Sequence, residues 1–565
     1  MQLHLQGSGI GTGIAVGPVL RMPDPLPEPA DTTRQGTADD DAARAEKARA
    51  AAALAATAES IAERGRRAGG SAQDVLEAQA LMAADPTLAD DVNNRIDAGK
   101  SAERAVHEAF GAFRDMLVGL GGYMGERATD LDDVSQRVVA RLRGVAAPGV
   151  PESDTPFVLV ARDLAPADTA LLDLGKVLAL VTSDGGPTSH TAILAREKSI
   201  VAVVGASGAR DIPEGATVIV DAGAGSIRVD PSVEERRAAE AAVVARAARA
   251  DAPLGPGALA DGTAIPLLAN LGSSAGAADA VARGAEGVGL FRTEFLFLDA
   301  TEAPSIDAQQ RQYAALFDAF PGRKVVVRAL DAGADKPLAF LNDAPEENPA
   351  LGLRGLRSLR ASEQILRDQL TALANAAAAS DADVWVMAPM VATVEETRYF
   401  TDLAHELGLK TAGIMVEIPA AALLADRMLA HADFASIGTN DLTQYTMAAD
   451  RMLGTVASYQ SPWHPAVLRL VGDVGAAGAA QGKPVGVCGE AAADPLLAVV
   501  LVGLGVTSLS MSPAALADVR ERLADVTLED AKRLAGLALA ADDAHAAKAA
   551  VLAAAAEASA AGMTP

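Results

Sequence analysis

The sequence predicts a mixed α/β protein of several domains: a small α/β domain interrupted by an all-helical insert, then a (β/α)8 barrel of the TIM type. Three observations predict it. After Gly257, eight short β-type runs alternate with helical segments, and that order over about 300 residues is the pattern of a closed parallel barrel. Ahead of it, Gly- and Pro-punctuated β-rich runs flank a long Ala-rich stretch with helical periodicity. A chain of 565 residues is also long enough for three or four domains, each with its own core.

Taken in order, residues 1–20 are Gly-rich with short β-type runs and make a poor domain alone. Their natural partners are FVLVARDL, KVLALVTSD, SIVAVVG and TVIVDAGAGSIRVD, within residues 146–230. Between them, residues 21–145 read as a helical domain with helices expected at 42–67, 72–83, 87–96, 102–117 and 131–142. Asp85 and Pro86 supply a cap and a first-turn proline for the third. Residues 231–257 form a charged, Ala-rich linker helix closed by a Pro/Gly cluster, a semi-rigid spacer about whose ends the preceding domain can swing. Residues 258–565 hold the barrel, whose runs end at Asn270, Arg292, Asp331, Met390, Glu417, Asp441, Glu490 and Ser512. An open doubly wound sheet is the alternative, but no G-x-G-x-x-G turn accompanies any of these runs. Residues 542–565 read as a last helix fading into disorder.

Composition narrows the function. Against 48 Lys and Arg stand 74 Asp and Glu, a net charge of −26, which repels nucleic acid and anionic lipid and steers a basic protein partner towards acidic faces. No apolar run reaches the length of a membrane span and the N-terminus lacks a basic n-region, so a cytoplasmic protein without membrane insertion is expected. One cysteine, Cys488, excludes an intrachain disulfide and a multi-cysteine metal site.

Two constellations carry chemistry. In DGGPTSHTAILAREK, residues 184–198, a Gly-Pro turn leads into a helix-forming run and puts His190 at or just inside a helix N-terminus. The helix dipole there stabilises an anionic group on the ring, and neutral imidazole is a competent nucleophile. The bland reading is a capping histidine. The second constellation is at the barrel strand ends: Arg292, Arg328, Glu417, Asn440, Asp441 and Cys488, with Arg451 on a following loop. Three arginines clamp a ligand bearing phosphate and carboxylate, and two carboxylates suit Mg²⁺. Arginines beside carboxylates also serve as structural ion pairs, and a lone cysteine as a small buried hydrophobe.

GG-x-TSH-x-A-I-x-AR, from Gly185 to Arg196, resembles the phosphohistidine loop of phosphoenolpyruvate-utilising enzymes, with Pro187 where many relatives carry arginine. GVGLFRTEFLF, VVVRALDAGADKP, EENPALGLRGLR, MVEIPAA, SIGTNDLTQYTMAADR and GVCGEAAADP resemble the phosphoenolpyruvate-binding barrel of Enzyme I of the bacterial sugar phosphotransferase system. Pyruvate phosphate dikinase and phosphoenolpyruvate synthase share such a barrel but add a large nucleotide-binding domain. Here about 145 residues precede the carrier segment and read as the helical insert, which argues against ATP-dependent chemistry.

The resemblance implies a swivelling phosphohistidine domain, with His190 forming a tele-phosphohistidine at Nε2. It implies that Arg292, Arg328, Arg451, Asn440 and Asp441 bind phosphoenolpyruvate, with Arg354 near the substrate. Glu417 and Asp441 would ligate Mg²⁺, and Cys488 would protonate the enolate to give pyruvate. The implied acceptor is a histidine of the phosphocarrier HPr, in the first step of sugar uptake. VLEAQALMAADPTLADDV resembles the HPr-binding region, with Glu77, Asp85, Asp90 and Asp91 as candidate contacts. A homodimer through the barrel is also implied. A phosphoenolpyruvate-binding sensor without turnover would be expected to lack His190 or Cys488, and both are present. A paralogue feeding a non-sugar phosphorelay is the alternative, because loop chemistry does not identify the acceptor.

Overall fold

The computed structural model describes residues 3–560 apart from 12, 25, 32–40, 69, 121–127, 146, 148, 152, 165–171, 174, 187–188, 198–199, 251–254, 298–299, 301, 333–337, 339, 342–345 and 452. The chain divides into two units, Met1–Val243 and Val244–Pro565.

The first unit is built on one eight-stranded sheet. Strands β1 (His4–Gln6), β2 (Ser8–Ile10) and β3 (Ile14–Arg21) join β4 (Phe157–Ala161), β5 (Val177–Thr182), β6 (Val201–Val204), β7 (Thr217–Asp221) and β8 (Ser226–Val229) in the order β1-β8-β7-β3-β4-β5-β6-β2. The long strand β3 is central because it pairs on both sides: antiparallel to β7, with Val16 opposite Ile219, and parallel to β4, with Val19 opposite Val158. Small β-branched residues such as Val158, Val160, Val181, Val203, Val218 and Val220 fill one core of this sheet, as a pleated surface buried on a face requires.

Between β3 and β4 the chain forms helices α1 (Asp41–Ala68), α2 (Gly70–Ala83), α3 (Pro86–Asp97), α4 (Ala102–Leu120) and α5 (Ala128–Arg143). Helix α3 shows how sequence sets an end: Asp85 Oδ1 accepts from the N–H groups of Thr87 at 2.7 Å and Leu88 at 3.1 Å, and Pro86 opens the helix where its missing N–H costs nothing. Leu88, Val92 and Ile96, four residues apart, bury the inner face. Helices α6 (His190–Glu197) and α7 (Val233–Ala250) follow.

In the second unit β9 (Leu267–Leu271), β10 (Val288–Phe291), β11 (Lys324–Arg328), β12 (Asp383–Ala388), β13 (Thr411–Val416), β14 (Ala435–Gly438), β15 (Val485–Cys488) and β16 (Ser508–Met511) close into an all-parallel barrel, β16 pairing back to β9. Strands buried on both faces read as continuous Val/Ile/Leu runs, which is why KVVVR and TAGIMV carry no alternation. Two expectations are corrected. The run ending at Asp441 leaves the strand at Gly438; Asn440 and Asp441 lie in the first turn of helix Thr439–Met447, since Thr, Asn and Asp favour helix starts over strand interiors. The tail does not fade at once: helix Ala544–Ala560 buries Ala547 and Val551 in the barrel's hydrophobic core, and residues 561–565 lie outside the described residues.

Candidate active site

Parallel strands in a barrel deliver their C-terminal residues to one mouth. Arg328 and Cys488 are the last residues of β11 and β15, Arg292 directly follows β10, and Glu417 directly follows β13. Arg354 and Asp331 come from the segments after β11, Asp441 from the helix after β14, and Arg451 from the loop beyond that helix. Six of these side chains meet in one buried ion-pair network. Arg328 Nη1 lies 3.2 Å from Asp331 Oδ2 and 3.9 Å from Glu417 Oε1, while its Nη2 pairs with Glu294. Arg354 spans two carboxylates, donating from Nη2 to Asp331 at 3.1 Å and from Nη1 to Asp441 at 2.8 Å. Arg451 Nη1 reaches the other oxygen of Asp441 at 3.2 Å.

The backbone is shaped to hold this network. Met390 takes φ +57, a conformation that costs a non-glycine residue about 1 kcal/mol or more, and its N–H donates to Glu417 Oε2 at 2.8 Å. Gly355 at φ +59 lets the Arg354 segment pass, since a Cβ there would stand 2.9 Å from Met390 Cβ. Behind Arg328, buried Gln369 accepts from Leu330 N–H at 2.9 Å and donates to Thr293 Oγ1 at 3.2 Å and Tyr313 Oη at 3.1 Å. Thr293 in turn donates to the Arg328 carbonyl at 3.0 Å.

Electrostatics separate the carboxylates. Burial, reinforced by Asp441 and Asp331, pushes Glu417 up to about 8. Burial also opposes the charge on Asp331, but Arg328 and Arg354 outweigh it and hold that carboxyl below its ordinary range. An acid that keeps its proton because burial and then anionic neighbours disfavour its charge is short of positive charge, and hard carboxylate oxygens fit Mg²⁺ with substrate and water completing its shell. Among the described residues no three His, Cys, Asp or Glu side chains form a metal-holding group by themselves. Cys488 is 2% exposed, and burial pushes its thiol up to about 11, against a lowering hydrogen bond from Ser436. Arg292 lies close enough to favour the thiolate, and Asn440 Oδ1 would stand 3.4 Å from a Cβ on Gly489, the next residue.

The remaining sequence-derived residues belong to the first unit. His190 is the first residue of α6; Ser189 Oγ accepts from Ala192 N–H at 3.3 Å, and buried Thr191 pins the helix start by donating to Asp163 at 2.7 Å. Gly185, at φ +86, makes the preceding turn, and Pro187 lies outside the described residues. On α2 and α3, Glu77 and Asp90 are exposed, and so is Leu81, at 73%. Asp85 is engaged as the α3 cap and Asp91 pairs with Arg95 at 3.0 Å. Sequence reasoning missed Glu294 and Asp331, although each sits two or three residues beyond an arginine that it named.

Three models of PEP-utilising enzymes match this chain: the N-terminal domain over residues 6–127, the mobile domain over 153–225 and the PEP-binding domain over 246–528. A phosphoenolpyruvate-protein phosphotransferase of Streptomyces coelicolor is 54% identical over 97% of this chain and 98% of its own length. One from Haloferax volcanii is 42% identical over 95% of each. A multiphosphoryl transfer protein of Rhodobacter capsulatus is 40% identical over 81% of this chain and 56% of its own length. With matches of this extent on a barrel of this geometry, the chain belongs to the PEP-utilising enzymes and, among them, to the phosphoenolpyruvate-protein phosphotransferases of the Enzyme I family.

Proposed function

We propose that the protein moves the phosphoryl group of phosphoenolpyruvate to Nε2 of His190 and on to a histidine of the phosphocarrier HPr, releasing pyruvate, as the cytoplasmic first step of sugar uptake. The observation that carries this reading is the buried mouth in which Arg328, Arg354 and Arg451 face Glu417 and Asp441 beside the protonated thiol of Cys488.

In this reading Arg292, Arg328 and Arg451, with Asn440 and Arg354, bind the phosphate and carboxylate of the substrate by charge-assisted hydrogen bonds. Glu417 and Asp441 hold Mg²⁺, which when bound neutralises phosphate charge. His190 attacks phosphorus in line: the P–N bond forms as the bond to the enolate oxygen breaks. Charge growing on that oxygen is met by fixed guanidinium groups that need no reorganisation. Cys488, still a thiol at neutral pH, gives its proton to the methylene carbon, and the enolate becomes pyruvate.

Residues 1–20 with 146–230 serve as the swivelling carrier domain, 21–145 as the HPr-binding domain, 231–257 as the linker, and 258–565 as the substrate-binding and dimerising barrel. Exposed Glu77, Leu81 and Asp90 support docking of a basic partner on α2 and α3, with Asp85 and Asp91 as further candidate contacts. Likeness to a multiphosphoryl transfer protein supports a relay of this kind.

The test is incubation with phosphoenolpyruvate and Mg²⁺ without ATP, followed by intact mass and pyruvate assay. One acid-labile phosphoryl group per chain, absent in His190→Ala and discharged by HPr, is expected. Labelling that HPr leaves in place refutes the acceptor, and no labelling refutes the relay.

A further inference from the structure

Below the mouth, Leu290, Val326, Met387, Met415 and Phe434 fill most of the barrel interior, but β14 and β16 bring hydroxyls into it where such cores are ordinarily apolar throughout. Ser436, Gly486 and Ser508 lie in one register row across β14, β15 and β16; Cys488 and Ser510 lie in the row two residues nearer the mouth. Gly486 leaves the space between the two serines open: a Cβ there would stand 3.0 Å from Ser508 Oγ and 4.0 Å from Ser436 Oγ. Ser436, Ser508, Ser510 and Lys324 line a single cavity of about 20 Å³, room for about one water among polar partners. Ser436 lies one row below Cys488 on the neighbouring strand, where its hydroxyl favours the thiolate, and the thiol itself donates to Ile437 O at 3.6 Å. Lys324, also in the cavity lining, opens β11, its Nζ 3.8 Å from the centre of the Trp385 ring. Burial lowers the proton affinity of that ammonium, so it releases a proton more readily than an exposed lysine.

We propose that Ser436, Ser508 and the cavity between them form a proton relay that reloads Cys488 from the N-terminal end of the barrel, with Lys324 as its exchange point with solvent. The proposal rests on the reading of Cys488 as the proton donor. When the C–H bond forms at the enolate, the S–H bond breaks and leaves a thiolate. Ser436 passes its hydroxyl proton to that sulfur and takes one from water in the cavity. Ser508 replaces the water's proton from the Lys324 ammonium, and Lys324 recovers one from solvent, so each pyruvate consumes one solvent proton. A route from below is independent of the substrate occupying the mouth.

The first turnover tests this without any acceptor, because His190 takes the phosphoryl group. Full-length protein in H₂O is mixed rapidly into D₂O, aged for a variable time, and given phosphoenolpyruvate and Mg²⁺; the deuterium content of the pyruvate methyl group reports whether the thiol had exchanged. Ser436→Ala and Gly486→Ala are each expected to lengthen the ageing time needed for deuteration about tenfold or more, with the yield of pyruvate and phosphohistidine unchanged. Ser436→Thr, which retains a hydroxyl, is expected to restore it. Wild-type ageing times in both variants overturn the relay, and so does a slowing that threonine fails to rescue. Gly486→Ala keeps every hydroxyl and stands alone as the test if Ser436→Ala does not fold. Failure of the underlying reading looks different: Cys488→Ala would then form pyruvate at the wild-type rate.

Discussion

Replacing Glu417 by Gln is expected to stabilise the protein near pH 8 and to change little near pH 4.5, when no divalent cation is present. Its carboxyl is moved from an ordinary 4.5 to about 8 by burial and by Asp441 and Asp331. At about 1.4 kcal/mol per tenfold change in proton affinity, the charged form is disfavoured by about 5 kcal/mol. The native state therefore holds a proton that the unfolded chain has released. Stability is full below pH 4.5, falls as pH rises towards 8, and levels off beyond it. Gln mimics the protonated acid and can still accept from Met390 N–H, so its curve should lack this fall. Asp331 is held low and titrates below 3.8, and Cys488 is pushed up to about 11, so neither contributes in the window. Urea unfolding in chelator from pH 4.5 to 8.5 measures the difference, expected to open with pH to several kcal/mol. Parallel curves for the two proteins would refute the reasoning. Mg²⁺ should recover stability at pH 8 in the wild type more than in the variant, because the ionised pair then has a cation to hold.

Gln369→Leu leaves the buried Leu330 N–H without its acceptor, while the Tyr313 hydroxyl keeps Gln309, and should cost about 2 kcal/mol in urea unfolding. It should also raise KM for phosphoenolpyruvate by loosening Arg328; an unchanged KM beside lost stability would show that the network only supports the fold. Gly438→Ala puts a Cβ 2.7 Å from Glu417 Cγ and is expected to slow His190 phosphorylation about 100-fold in single-turnover labelling, as misplaced groups at a reacting centre do. Asp85→Ala should cost about 1 kcal/mol by uncapping α3, whereas Asp85→Asn keeps the cap and removes the charge. Titration with HPr separates the roles: if Asn binds as tightly as Asp, the residue is a cap and not a contact.

The barrel was legible because its strands are short apolar runs, seven of the eight runs ending in a polar residue, and a strand falls on every one of the eight. The helix limits were legible for the same local reasons, Asp85 and Pro86 most clearly. What pattern could not convey is partnership across the mouth. Arg354 and Asp441 stand 87 positions apart and meet at 2.8 Å, and nothing local to either shows it. Asp331 was read only as the end of a run, because an acid there gains a role only once Arg328 and Arg354 are found on both sides of it. The end of β14 was misplaced because G-T-N-D continues a polar strand end as readily as it starts a helix, and only the buried turn decides between them.

The strand order of the first unit also dictates a schedule for biosynthesis. His4 pairs with Arg228 and Val19 with Val158, so strands that leave the ribosome first have no neighbours until about 140 to 220 residues later. The helices described between β3 and β4 emerge in that interval with only local contacts to make, and a bundle that has already folded shortens the free chain joining the two strands. Shorter loops lower the entropy of closure, by about 1 kcal/mol for a fourfold reduction. A nascent chain stalled before residue 226 would expose the two strand edges of β1 and β7 that β8 covers, beside a finished bundle, a template for mispairing that completion of β8 removes.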